Sequence, residues 1–168
     1  LAQRCLMSLV AMLESLQGEI AVLDKRLLAW HRSSPTCRRL ETIPGVGPVL
    51  STALVAAIGD GAAFVSGRDL AAWIGLVPRQ ASTGGKPRLG RICKQGDAYL
   101  RWLLVAGAMS VIRQQRKTGF KDNSWLGELA RRKPTKVAAV ALANKNARIA
   151  WAVLRSQEPY RQSIPAAA

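Results

Sequence analysis

The stretch GLVPRQASTGGKPRLGRICKQGDAYLR, residues 75–101, differs in kind from the rest of the chain. Pro78, Gly84, Gly85, Pro87, Gly90 and Gly96 break any helical period, which predicts an exposed loop held between two helices. A hydroxyl pair, Ser82 and Thr83, lies on its Gly-rich turn beside Gly84 and Gly85. Around the pair stand the cations Arg79, Lys86, Arg88, Arg91, Lys94 and Arg101. Hydroxyls among fixed positive charges suggest a place where phosphate is handled. Lys86, Arg88, Arg91 and Lys94 are suited to binding a scissile phosphate and to stabilising charge that develops on it. By residue type alone, a serine on such a loop is more often a turn former than a nucleophile, because no His or Cys partner lies within the motif.

Outward from this loop the chain reads as helix. It has 168 residues, 49% hydrophobic and only 5% aromatic, which favours packed helices over a sheet and an ordered core over disorder. On the C-terminal side, Gly96-Asp97 opens a helix from Ala98 to about Gln115 with Asp97 as its N-cap. That helix is apolar on nearly every side, which predicts a buried central element. Arg101 lies one turn in and reaches back toward the loop. A basic loop follows at 116–123, then a short helix from Ser124 to Arg132. Lys133-Pro134 breaks it, and Thr135 caps a last helix to about Arg155 that buries Val137, Val140, Ala141, Ile149 and Val153. The tail 157–168 is expected to fray.

On the N-terminal side, Ser66 and Asp69 form a capping-box variant that starts a short helix through Trp73, and Asp60-Gly61 is a turn. Residues 38–58 hold a short helix with Leu40, then Ile43-Pro44-Gly45-Val46-Gly47-Pro48, then an apolar helix. This resembles the helix-hairpin-helix motif of DNA-binding proteins. Its Gly45 and Gly47 would leave backbone N–H groups bare at a helix N-terminus, a ready phosphate site. The plain alternative is a tight turn between two core helices. Leu6, Leu9, Leu13, Leu16, Ile20, Leu23, Leu27 and Trp30 alternate spacings of three and four. That is a heptad seam over residues 1–32, suited to self-association or to docking on another helix, the alternative being packing on its own core. The chain starts at Leu1 within this pattern, which suggests a piece of a longer protein.

Lys and Arg total 25 against 10 acids, a net charge of +15 that points to a polyanion partner. The cations cluster at 79–101, 113–121 and 131–136. No apolar run of membrane-spanning length and no signal peptide are expected, so no membrane partner is assigned. The three cysteines, Cys5, Cys37 and Cys93, show no Cys-x-x-Cys spacing, which predicts reduced thiols, no disulfide frame and no metal site. His31, the only histidine, is placed at a helix end.

Five pieces in fixed order carry a resemblance: Ile43-Pro-Gly-Val-Gly-Pro48, Leu70-Ala-Ala-Trp-Ile-Gly-Leu-Val-Pro78, Gln80-x-Ser82-x-Gly84-Gly-Lys86, Lys94-x-Gly96-Asp97 and Leu100-Arg101-x-Leu-Leu104. The set resembles the C-terminal transposase domain of the "one-ten" insertion-sequence family, in its "eleven-eleven" branch. These are bacterial transposases related to the pilin-gene DNA invertase and known as bridge-RNA-guided serine recombinases. The resemblance implies an all-α fold over residues 36–156, with the heptad helix as linker from an N-terminal acidic domain that binds divalent metal (Mg). It implies Ser82 as nucleophile, with Thr83 as the register alternative, in a catalytic loop at 75–101. It implies DNA and a structured guide RNA as partners, a homo-oligomer (dimer or tetramer), and a cytoplasmic, nucleoid-associated location. The cofactor expectation for this chain itself is none. A chain of this kind would bind nucleic acid without recombining it alone. Two rivals are a non-catalytic helix-hairpin-helix module and a structural RNA-binding protein of the ribosomal type.

Overall fold

The computed structural model describes residues 2–80, 89–120 and 124–161. Its described residues form seven helices and one small hairpin, an all-α architecture: α1 (Ala2–Ser33), α2 (Pro35–Glu41), α3 (Pro48–Ile58), α4 (Gly67–Trp73), β1 (Pro78–Gln80), β2 (Leu89–Ile92), α5 (Ala98–Thr118), α6 (Trp125–Arg132) and α7 (Thr135–Ser156).

The helices start where the sequence supplies caps. Ser34 Oγ accepts from Cys37 N, and Pro35 follows at the first helical position. Ser66 Oγ accepts from Asp69 N, while Asp69 Oδ2 accepts from Val65 N, one residue earlier than a standard capping box. Asp97 Oδ1 accepts from Leu100 N at 2.9 Å, and Ser124 Oγ from Gly127 N at 3.1 Å. Each such cap contributes about 1 kcal/mol. α7 departs from expectation. Pro134 is its N-cap residue and makes no side-chain cap. Thr135 instead accepts a 2.7 Å hydrogen bond from Arg116 Nη2, tying α5 to α7.

The core is a layer of leucines and isoleucines from α2 to α5 (Leu40, Leu54, Leu70, Ile74, Leu100, Leu104 and Ile112 among them) closed by α7. The expected inner face of α7 needs correction. Val137 is 50% exposed, and Val140, Ala141 and Ile149 are only partly buried. The helix is rotated so that Ala138, Ala139, Ala143, Ala147 and Ala150 face inward with Leu142, Val153 and Leu154. Small side chains let α7 approach α5 closely, and that close packing outweighs the larger transfer energy of one valine. α5 is likewise less buried than expected: Leu100, Leu103, Leu104, Ala108 and Ile112 point inward, while Tyr99 and Trp102 are exposed.

Two further expectations are corrected. The stretch 75–101 is not loop throughout, because β1 and β2 pair antiparallel with Pro78 opposite Ile92 and Gln80 opposite Leu89. One extra residue in β2 makes a bulge at Gly90-Arg91. In α1, an 18-residue window reaches a mean hydropathy of 1.5, so this helix is long and apolar enough by length and composition to cross a membrane. Met7, Val10, Met12 and Val22 lie off the leucine seam and are exposed too, which makes the helix less polar at its flanks than a bare heptad stripe. Glu14, Glu19 and Asp24 stand among them, and an ionised side chain at a bilayer centre costs about 3 kcal/mol or more. α1 meets the domain only at its C-terminal end, where His31 is buried with Nε2 3.5 Å from Glu41 Oε2. Within the expected tail, Tyr160 is half-buried and its N–H donates to Thr42 Oγ1 at 2.8 Å, which holds this part against the end of α2.

Candidate nucleic-acid interface

The base of the central stretch is pinned from three sides. The Arg101 guanidinium donates to the Ile74 carbonyl at 2.7 Å. Asn144 on α7 donates to the Leu76 carbonyl at 3.1 Å, across 68 residues of sequence. Cys93 N and Lys94 N donate to the carbonyls of Val77 and Gly75, extending the hairpin pairing inward. Gly96 has φ +101, and a Cβ there would overlap the Trp73 carbonyl oxygen, so only glycine closes the stretch against α4. Arg101 is therefore a positioning residue for the loop base.

Beside the hairpin lies a cleft of about 1770 Å³. Its floor is apolar, with Leu76, Ile92, Val140 and Ile149 among its residues. Its cations come from four places in the chain: Arg68 at the start of α4, Arg91 on β2, Lys94 just after it, and Lys136, Lys145 and Arg148 on α7. No acid lines it among the described residues. Among those residues the one approach of a basic nitrogen to a carboxylate within 4 Å is that of His31 to Glu41, so no described carboxylate pairs with the cleft's cations. Lys145 Nζ lies 4.8 Å from the centre of the Trp125 ring, a cation–π contact that fixes the ammonium group at the cleft wall. Such a surface attracts a polyanion through both summed charge and shape.

The expected site residues separate. Arg91 and Lys94 line the cleft, whereas Arg79 is exposed and lies off it. Ser82, Thr83, Lys86 and Arg88 lie outside the described residues. Gly45 has φ +89 and packs on α5, where a Cβ would stand 2.8 Å from the Gly107 carbonyl oxygen. Gly47 is exposed, has open space around it, and leaves the α3 N-terminus without a side-chain cap. Asn146 on α7 donates to the Pro44 carbonyl at 2.9 Å and anchors this turn. So Gly45 serves packing, and Gly47 alone keeps an open approach to the helix start. The sequence reading omitted Arg68, Lys136, Lys145, Arg148 and Trp125 from the site. Its available signal was the four-residue spacing of Lys136, Val140, Asn144 and Arg148, which puts one cationic face on α7.

Among the described residues the acids do not fit a divalent metal. Among the described residues no group of three or more His, Cys, Asp or Glu side chains is placed to hold one. Asp69 and Asp97 serve caps, and Asp60 Oδ1 accepts from Ala62 N in a turn.

A helical domain with an acid-free cationic cleft is the class this geometry defines. Residues 37–121 match the model of the IS116/IS110/IS902 family of transposases, and the chain belongs to that family. It is 47% identical over 149 residues to the "Probable family 20 transposase" of Pseudomonas aeruginosa, across 89% of this chain and 44% of that protein. It is 43% identical over 138 residues to the transposase for insertion sequence element IS1111A of Coxiella burnetii, across 82% of this chain and 38% of that protein. It is 31% identical over 136 residues to the pilin gene-inverting protein of Moraxella bovis, across 80% of this chain and 40% of that protein. The chain thus spans less than half the length of these curated relatives.

Proposed function

We propose that this chain is the DNA-handling part of a transposase, in which the cationic cleft seats a sugar–phosphate backbone and Ser82 attacks the scissile phosphate. The observation that carries the reading is the convergence of six cations, paired with no described carboxylate, on a cleft bounded by the hairpin that leads to Ser82. Pro78 lines the cleft and β1 ends at Gln80, two residues before Ser82 in the sequence, which supports the reading. In this step Ser82 Oγ forms a bond to phosphorus and the bond from phosphorus to one deoxyribose oxygen breaks. The serine proton ends on the departing sugar hydroxyl, and the strand remains as a phosphoserine ester. Rejoining reverses the step with a different sugar hydroxyl, which completes strand exchange. Arg91 and Lys94 stabilise the charge on the phosphoryl oxygens. Thr83 is the register alternative for the nucleophile. The family resemblance adds a structured guide RNA and a homo-oligomer built through α1, whose seam is free along most of its length.

The backbone-seating part is tested by duplex DNA binding of the full-length protein across a salt series. Lys145→Ala and Arg148→Ala should each flatten the slope of log affinity against log salt by about 0.9. Arg155, exposed and off the cleft, serves as control. Unchanged slopes in both cleft variants would remove the cleft from the DNA path.

A further inference from the structure

The solvent face of α5 carries features that the cleft does not use. Burial of Leu100, Leu103, Leu104, Ala108 and Ile112 leaves Tyr99, Trp102, Ala106, Ser110, Arg113 and Lys117 outside at helical spacing. Tyr99 is 56% exposed and Trp102 63%, unusual for rings of this size. Their planes are 21° apart with centroids 6.3 Å apart, a stacked pair. Two small residues follow, then cations about 16 and 22 Å along the axis from Trp102. All 21 residues of α5 lack an acid. No residue lining the cleft belongs to α5, so this is a separate surface. The strip also passes the 42–47 turn, where Ser110 and Gln114 help form a shallow pocket of about 440 Å³ with Pro44.

We propose that this face of α5 is a second nucleic-acid site that takes a single strand. Tyr99 and Trp102 stack on unpaired bases, and Arg113 and Lys117 take phosphates a few nucleotides away. The aromatic pair argues against duplex, whose bases keep their faces to one another. The cations, the lack of acids and the net charge of +15 argue for a polyanion over an apolar protein partner. Stacking platforms flanked by fixed cations are the general means of holding single strands. Ala106 and Ser110 keep the strip between the two features low enough for a strand to pass.

The test compares a fluorescein-labelled single-stranded oligothymidine with a duplex of the same length, binding to the full-length protein by anisotropy. Trp102→Leu should weaken single-strand binding about tenfold, and Trp102→Phe should restore most of it. Duplex affinity, which depends on the cleft, should stay within about twofold. Arg113→Ala and Lys117→Ala should each flatten the single-strand salt slope by about 0.7. Circular dichroism checks the fold, which an exposed ring should not govern. Unchanged single-strand affinity in Trp102→Leu, or an equal loss on both ligands, overturns the proposal. So does a fall in assembly mass with oligonucleotide binding intact, which would make the face a protein contact. Because the cleft variants are read on duplex and these on single strand, either site can fail alone.

Discussion

Lys94 is held at φ +57, a left-handed conformation that costs a non-glycine residue about 1 kcal/mol. Glycine would adopt it freely, yet the position carries a cation that lines the cleft. The expected outcome for Lys94→Gly is therefore a split. Melting temperature should stay level or rise by a few degrees, about what relief of roughly 1 kcal/mol gives. DNA affinity should fall. A melting temperature lowered by more than about 5 °C would show that the lysine side chain holds the hairpin, contrary to its placement at the cleft. The caps of α4 and α5 were legible at this scale because a cap needs only its own four residues. Gly45 was read as baring N–H groups at a helix start, and the reason it must be glycine was not legible. The reason is the backbone of Gly107, 62 residues away in a helix the local sequence does not mention.

At the scale of elements, the helices could be read from apolar spacing, while their rotation could not. α7 offers valine and alanine faces of similar weight, and the choice falls to how near α5 must come. The hairpin was missed because its strands are three and four residues long and rich in Pro, Gly and Arg. Its support comes from elsewhere, through Asn144 and Arg101. α1 carries the element-scale prediction. Leu6, Leu9, Leu13, Leu16, Ile20 and Leu23 are all more than half exposed, and a helix this apolar is not stable as a solvated rod. Leu16→Glu with Leu23→Glu should lower the mass of the full-length protein in sedimentation, with the domain's melting temperature unchanged. An unchanged mass would assign the seam to intramolecular packing.

At the scale of the molecule, net charge pointed to a polyanion partner but not to where its cations gather. Arg68 and Lys136 are far apart in sequence and meet only once α4 and α7 pack. Folding thus turns a scattered excess of positive charge into one cleft with an apolar floor, and leaves a second, aromatic strip on α5. In the proposed reading the cleft seats a backbone by geometry, and the Ser82 step adds chemistry to it. The most direct test of that step uses the full-length protein with its RNA and a labelled DNA nicked beside the cleavage position, so that the cut end diffuses away and a covalent product is trapped. Wild type, Ser82→Ala and Thr83→Ala are compared on denaturing gels. The account predicts a protein–DNA adduct in wild type and Thr83→Ala that is lost in Ser82→Ala. An adduct that persists in Ser82→Ala, or none in any form while DNA binding is intact, would contradict it.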